Sequence, residues 1–67
     1  MKNLLLLRVV LKNLDTNCDF EIAGIELVKQ NKDWIEVKYN VLENDFYEPY
    51  LYERSRYEIV SIIPYKD

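Results

Sequence analysis

The residues best suited to binding or chemistry lie between positions 46 and 57. This segment concentrates five aromatic residues and two of the three arginines of the chain. Tyrosine and arginine combine a large apolar area with a polar end, and both are enriched at protein interfaces. We therefore predict a protein-binding surface here, and we add Trp34, which falls on the polar side of a strand pattern. The predicted contact residues are Trp34, Phe46, Tyr47, Tyr50, Tyr52, Arg54, Arg56 and Tyr57.

These residues also admit two other interpretations. The tyrosines could roof a small core with their hydroxyl groups in water, and Trp34 could cover an open end of the fold. Alternatively, Arg54, Arg56 and the nearby tyrosines could stack on single-stranded nucleic acid. Carboxylates around the segment would repel phosphate, which makes nucleic acid the weaker candidate. They are Glu43, Asp45, Glu48, Glu53 and Glu58.

The sequence contains few residues that could carry out catalysis. The chain has no histidine, which removes the commonest general base and the Ser-His and Cys-His pairs of nucleophilic enzymes. Glu48 and Glu53 could form an acid–base pair, but such a pair needs a cleft that so short a chain can scarcely enclose. Cys18 has no cation next to it in the sequence that would activate its thiol. We predict a protein that is not an enzyme and has no cofactor.

A calcium-loop spacing is present but incomplete. Acidic and amide side chains fall on ligand positions of such a loop at Asp15, Asn17, Asp19, Glu21 and Glu26. The sixth position of the loop requires glycine for its sharp turn, and this position holds Phe20. One cysteine and no histidine cannot form a zinc site. We predict no metal site.

Length and composition bound the class of protein. With 67 residues, 49% hydrophobic and 31% charged, the chain should fold as one small domain, residues 1–67. Its net charge of −3 disfavours a general affinity for phosphates. Cys18 is alone, and Arg8 interrupts the apolar run at the N-terminus, with no small-residue cleavage site after it. We expect a cytoplasmic protein without a membrane segment or an intrachain disulfide.

The hydrophobic pattern predicts about five strands. Residues 4–13 and 20–28 alternate apolar and polar side chains, and Gly24 interrupts the second run as an isolated glycine in a bulge would. Residues 15–19 and 30–33 are turn-like, and residues 35–41 form the clearest alternating strand. Residues 46–52 are typical of an edge strand because Pro49 cannot donate to a ladder. Residues 57–63 are apolar on both parities, which predicts a strand buried on both faces or closing a barrel.

The expected fold is all-β, a small antiparallel meander or an SH3-like or Sm-like barrel. The alternative is an α+β fold in which residues 3–14 are helical, because polar residues there also recur at helical spacing. The expected function is binding of another protein by a small accessory or inhibitory module of the kind carried by phages and mobile elements. Two alternatives stay open: a nucleic-acid-binding barrel, and self-association through an edge strand at 46–52.

Overall fold

The computed structural model of the chain describes residues 5–40 and 49–66, and these residues form an all-β fold. The strands are β1 (Leu5–Asn13), β2 (Cys18–Gln30), β3 (Trp34–Tyr39), β4 (Tyr50–Glu53) and β5 (Tyr57–Lys66). They form one antiparallel sheet in the order β4-β3-β2-β1-β5. The predicted all-β class is confirmed. The helical alternative is wrong, because residues 5–13 pair as β1 with strands on both sides.

The sheet curls toward a barrel at one end. A turn at residues 54–56 joins β4 directly to β5, although these strands are the two opposite edges of the sheet. The rings of Tyr52 on β4 and Tyr57 on β5 lie 5.0 Å apart between centroids, and Phe20 on β2 contacts both of them. Only a strongly curved sheet can bring its edge strands into contact. The fold is therefore an open, barrel-like sheet.

A bulge at Gly24 bends the long strand β2. Leu7 pairs with Ile25 while Val9 pairs with Ile22, so β2 carries one residue more than β1 between these positions. Gly24 has a φ of 72°, a conformation that glycine adopts without a steric penalty from Cβ. A second register shift follows against β3, between Ile25 and Leu27. These irregularities bend β2, so that its first half pairs with β1 and its second half pairs with β3. The predicted bulge at Gly24 is confirmed.

The core lies on the concave side of this sheet, which we call the inner face. Five aliphatic side chains there have no exposed surface: Val9, Leu11, Ile25, Ile35 and Val37. Burial of each stabilises the fold by about 1.5–3 kcal/mol. Half-buried aromatic side chains cover this cluster, among them Phe20, Tyr39, Tyr52 and Tyr57. The small aliphatic core is thus extended by aromatic rings.

The structure corrects two burial predictions. β5 is an edge strand paired only with β1 among the described residues, and its apolar side chains at 60, 62 and 63 are 44–48% exposed. It is not buried on both faces; it accords instead with the other environment predicted for it, at the edge where the curled sheet approaches closure. Asn40, expected to face outward with the polar residues of its strand, is only 6% exposed. The bulged part of β2 covers it, since Asn40 donates its backbone N–H to Gly24 and its side-chain amide to Glu26.

Strand boundaries also differ slightly from the pattern. Cys18, Asp19 and Gln30 belong to β2 rather than to the turns beside it, because each of them pairs with a residue of β1 or β3. The described residues include no helix that could serve as a membrane span.

Candidate functional site

The structure divides the predicted contact residues between two faces of the sheet. In the β3–β4 ladder, Tyr50 pairs with Val37 and Tyr52 pairs with Ile35. Residues opposite each other in a ladder share a face, so both tyrosines belong to the inner face. Trp34 pairs with Glu53 on the other side of the sheet, which we call the outer face. Phe46 and Tyr47 lie outside the described residues.

Tyr52 and Tyr57 pack over the core rather than project from it. Each is half-buried against the aliphatic cluster, and each contacts Phe20 with ring centroids 6.0–6.2 Å apart. Burial is the main cause that raises the pKa of the Tyr52 hydroxyl to about 12, and the neighbouring Tyr39, Tyr50 and Tyr57 raise it further. The two rings therefore cover the core, as the roofing interpretation expected, but the Tyr52 hydroxyl is partly withdrawn from water rather than left in it. Tyr50 touches Tyr52 at 4.7 Å but keeps 55% of its surface exposed.

Arg54 and Arg56 connect the β4–β5 turn to the turns at the two ends of β2, which the bend in β2 brings close together. Arg54 donates its backbone N–H to Asp33 and its guanidinium to the carbonyl of Asn31, both in the β2–β3 turn. Arg56 donates two guanidinium bonds to one carboxylate oxygen of Asp15, in the β1–β2 turn, at 2.8 and 3.0 Å. This contact with Asp15 raises the pKa of the Arg56 side chain. Both predicted binding residues are engaged in contacts within the chain.

The outer face carries an exposed apolar patch across three neighbouring strands. Trp34 is 40% exposed, Leu51 on β4 is 48% exposed and Leu27 on β2 is 42% exposed. Cross-strand pairing places Leu51 beside Glu36 and Glu36 beside Lys29, so one opposite-charge pair lies between the apolar side chains. We call Leu27, Trp34 and Leu51 the outer patch.

Trp34 stands as a ridge between two open depressions. The first, about 360 Å³, is lined by Lys29, Gln30, Asn31, Trp34, Glu36 and Leu51. The second, about 350 Å³, is lined by Lys32, Asp33, Trp34, Glu53 and Ser55. The β2–β3 turn fixes the base of this ridge, because the side-chain oxygen of Asn31 accepts the backbone N–H groups of Asp33 and Trp34 at 2.8 and 2.9 Å. The indole thus projects from a rigid support.

Sequence reasoning missed Leu51 and Leu27 as surface residues. Leu51 lies within the aromatic segment, but its tyrosine neighbours dominated the interpretation of that stretch. Strict alternation from Tyr50 to Tyr52 would have placed Leu51 on the face opposite to them. The position of Leu27 required knowledge of the second register shift in β2, for which the sequence offers no separate signal.

The basic side chains of the described strands lie next to acidic ones. Arg8 contacts Glu21 at 3.1 Å, and Lys38 lies 3.8 Å from Glu26. Lys12 is flanked by Asp19 on β2 and by Glu58 on β5. This alternation of sign leaves no continuous basic track on the part of the sheet that is described.

Residues 5–40 and 49–66 bring together no group of three side chains able to hold a metal ion. The calcium-loop spacing is instead part of a β-hairpin: the described turn at residues 14–17 is followed directly by β2. Comparison with known protein families, with curated proteins and with solved structures finds no match to this chain.

Proposed function

We propose that the protein is a non-enzymatic binding module that contacts another protein through the outer patch. The observation that carries this proposal is the coincidence of three half-exposed large apolar side chains on one face of adjacent strands. Trp34 and Leu51 line one depression together, and exposed apolar side chains grouped among polar ones on one face mark interaction sites. Tryptophan is also the residue most enriched among those that dominate binding energy.

The surroundings of Trp34 support a protein partner. The ridge offers an indole that a partner can enclose, and the depressions beside it can receive partner side chains. Lys29, Glu36 and Glu53 supply polar groups of mixed sign beside the apolar side chains, a combination that protein interfaces also have. The contact surface is therefore narrower than the sequence suggested, because Tyr52 and Tyr57 pack over the core instead.

The nucleic-acid alternative is less well supported by the geometry. Its two arginines hold turns together, and Arg56 is already paired with Asp15. Self-association through β4 is also weakly supported, because β4 has only four residues and the carbonyl of its last residue, Glu53, accepts a bond from Arg56. A role as a cytoplasmic accessory protein of a phage or mobile element accords with the small size and the lone cysteine, and it stays part of the proposal.

Affinity capture from a lysate of the cells that encode the protein tests the proposal. The test variant is Leu51→Glu, and the matched control is Val60→Glu, because both side chains are 48% exposed but Val60 lies on β5, away from the patch. Each capture is run with and without nuclease. A further variant, Arg54→Gln with Arg56→Gln, removes the side chains on which the nucleic-acid alternative depends.

We expect a protein that is retained after nuclease treatment, kept by Val60→Glu and lost by Leu51→Glu and by Trp34→Ala. In Leu51→Glu, binding would strip water from the new carboxylate without supplying it with an opposite charge. Binding should therefore fall at least about tenfold. Equal loss with Val60→Glu would contradict the assignment of the surface. Loss of all bound material on nuclease treatment would favour the nucleic-acid alternative, and so would its loss in an Arg54→Gln, Arg56→Gln variant whose circular dichroism matches that of the wild type.

A further inference from the structure

The edge of β5 that no described strand covers is a second surface, independent of the outer patch. β5 is ten residues long, and within the described part of the chain it pairs only with β1. Ile62 and Ile63 on this strand are 44% and 45% exposed. A long apolar edge strand is a template on which another strand can pair. Whether a second strand can pair here depends on which backbone groups of β5 face this edge.

The hydrogen-bond ladder determines which groups of β5 face outward. The backbone N–H of Leu14 donates to Arg56 at 2.8 Å at the start of the β1–β5 ladder. Antiparallel ladders alternate between bonded and non-bonded pairs, so Arg8 and Ile63 form a bonded pair, and the next pair, Leu7 and Pro64, does not. The ring nitrogen of Pro64 therefore faces the free edge, together with the backbone groups of Ile62 and Lys66.

The backbone groups of β5 that face away from β1 keep a regular two-residue spacing only beyond residue 60. A register shift between Val10 and Leu11 shows a bulge in β5 around Val60, which breaks the two-residue spacing of outward groups. The uninterrupted stretch is therefore 62–66, and Pro64 is its centre. If two copies of this stretch pair antiparallel around a two-fold axis, Ile62 lies opposite Lys66 of the second copy and Pro64 lies opposite its own equivalent.

We infer that β5 has a latent self-pairing register centred on position 64, and that Pro64 keeps a second copy from occupying it. Proline has no N–H, so the central pair of this register loses both of its hydrogen bonds and leaves two carbonyls without partners. Outside that pair the register is favourable, because the exposed Ile63 would meet the Tyr65 ring of the second copy. The bulge at Val60 prevents pairing from starting further along the strand.

Replacement of Pro64 tests this inference directly. Pro64→Val supplies the missing N–H and a residue that favours strands, and its backbone N–H faces solvent in the monomer, so the fold should be kept. Pro49→Val is the matched control, because Pro49 precedes the short edge strand β4. Sedimentation velocity over a wide concentration range measures the mass, and circular dichroism confirms that each variant is folded.

We expect the wild-type protein and Pro49→Val to sediment as the 8.1 kDa monomer, and Pro64→Val to sediment at twice that mass. Adding Ile62→Lys to Pro64→Val should restore the monomer, because it places a charge beside the new pairing. A folded Pro64→Val that stays monomeric wherever the wild type does would overturn the inference. Dimerisation of the wild type, or of Pro49→Val alone, would also overturn it.

A cysteine at position 64 reports the register itself. In a Cys18→Ser background, the Pro64→Cys variant places two thiols opposite each other across the two-fold axis. The Cα separation of a bonded antiparallel pair, about 5.5 Å, lies within the range that a disulfide spans. Mild oxidation should link Pro64→Cys into dimers and leave Val60→Cys, in the same background, mostly unlinked. Equal linking of both variants would show random collision rather than the proposed register.

Discussion

At the scale of single residues, the aromatic side chains have two distinct roles that their sequence positions do not separate. Tyr52 and Tyr57 enlarge a small aliphatic core, whereas Trp34 projects from the outer face. The sequence predicted the outward direction of Trp34 because alternation along β3 is strict. It left the tyrosines undecided, because a tyrosine suits an interface and a core roof equally well. The packing of Tyr52 and Tyr57 against the aliphatic cluster resolves that choice.

The buried hydroxyl of Tyr52 predicts an alkaline loss of stability. Its pKa is about 12 in the folded protein against 10.0 for an ordinary tyrosine. The unfolded chain therefore releases this proton at lower pH than the folded chain. The contribution of Tyr52 to the free energy of unfolding is consequently complete below pH 10 and is lost between pH 10 and 12. Thermal unfolding across this range should show a steeper fall of Tm in the wild type than in Tyr52→Phe.

Tyr50→Phe is the comparison for this measurement, because it removes one of the smaller causes of the raised pKa of Tyr52 and leaves the largest cause, burial, in place. It should therefore reduce the slope less than Tyr52→Phe does. If Tyr52→Phe loses stability between pH 10 and 12 as steeply as the wild type, burial of the Tyr52 hydroxyl is not the cause of the alkaline loss.

At the scale of elements, the bend in β2 positions both the core and the outer patch. Gly24 stands at this bend, where its N–H donates to the Tyr65 hydroxyl at 2.9 Å and its carbonyl accepts from Asn40. The Tyr65 hydroxyl thus ties β5 to the bulge of β2. The Arg8 guanidinium lies 4.7 Å from the centroid of the Tyr65 ring and covers it.

Tyr65→Phe should destabilise the protein by about 1–3 kcal/mol, because it leaves the buried Gly24 N–H without this partner. Gly24→Ala should cost at least about 1–2 kcal/mol, because a residue with Cβ is strained at positive φ. Urea unfolding measures both values, and Tyr50→Phe again serves as the exposed control. A Tyr65→Phe variant as stable as Tyr50→Phe would show that the hydroxyl does not support the bend.

The elements themselves were largely predictable, while their burial was less so. Strand patterns depend on local alternation, which the sequence shows directly, and the isolated Gly24 marked the bulge correctly. The environment of β5 depends on the order of strands in the sheet, and its apolar residues on both parities predicted a strand buried on both faces or closing a barrel. The structure places it at an edge, where Pro64 is tolerated because its nitrogen faces outward.

At the scale of the whole molecule, one short turn organises the closed end of the sheet. Residues 54–56 carry the chain from one edge strand to the other, and two arginines fasten this turn to both neighbouring turns. The proposed contact surface could not be predicted residue by residue, because it depends on which side chains share a face after the sheet curls. The outer patch joins residues of β2, β3 and β4, and Leu51 is distant in sequence from the other two.

Trp34 is the only tryptophan of the chain, so a label on its indole reports on the proposed contact surface alone. We would incorporate 5-fluorotryptophan and record the fluorine NMR signal while adding nuclease-treated lysate of the cells that encode the protein. Binding at the outer patch predicts a shift or broadening of the single signal that Leu51→Glu abolishes and Val60→Glu keeps. An unchanged signal while the partner is bound, or a change that Leu51→Glu retains in full, would contradict binding through this face.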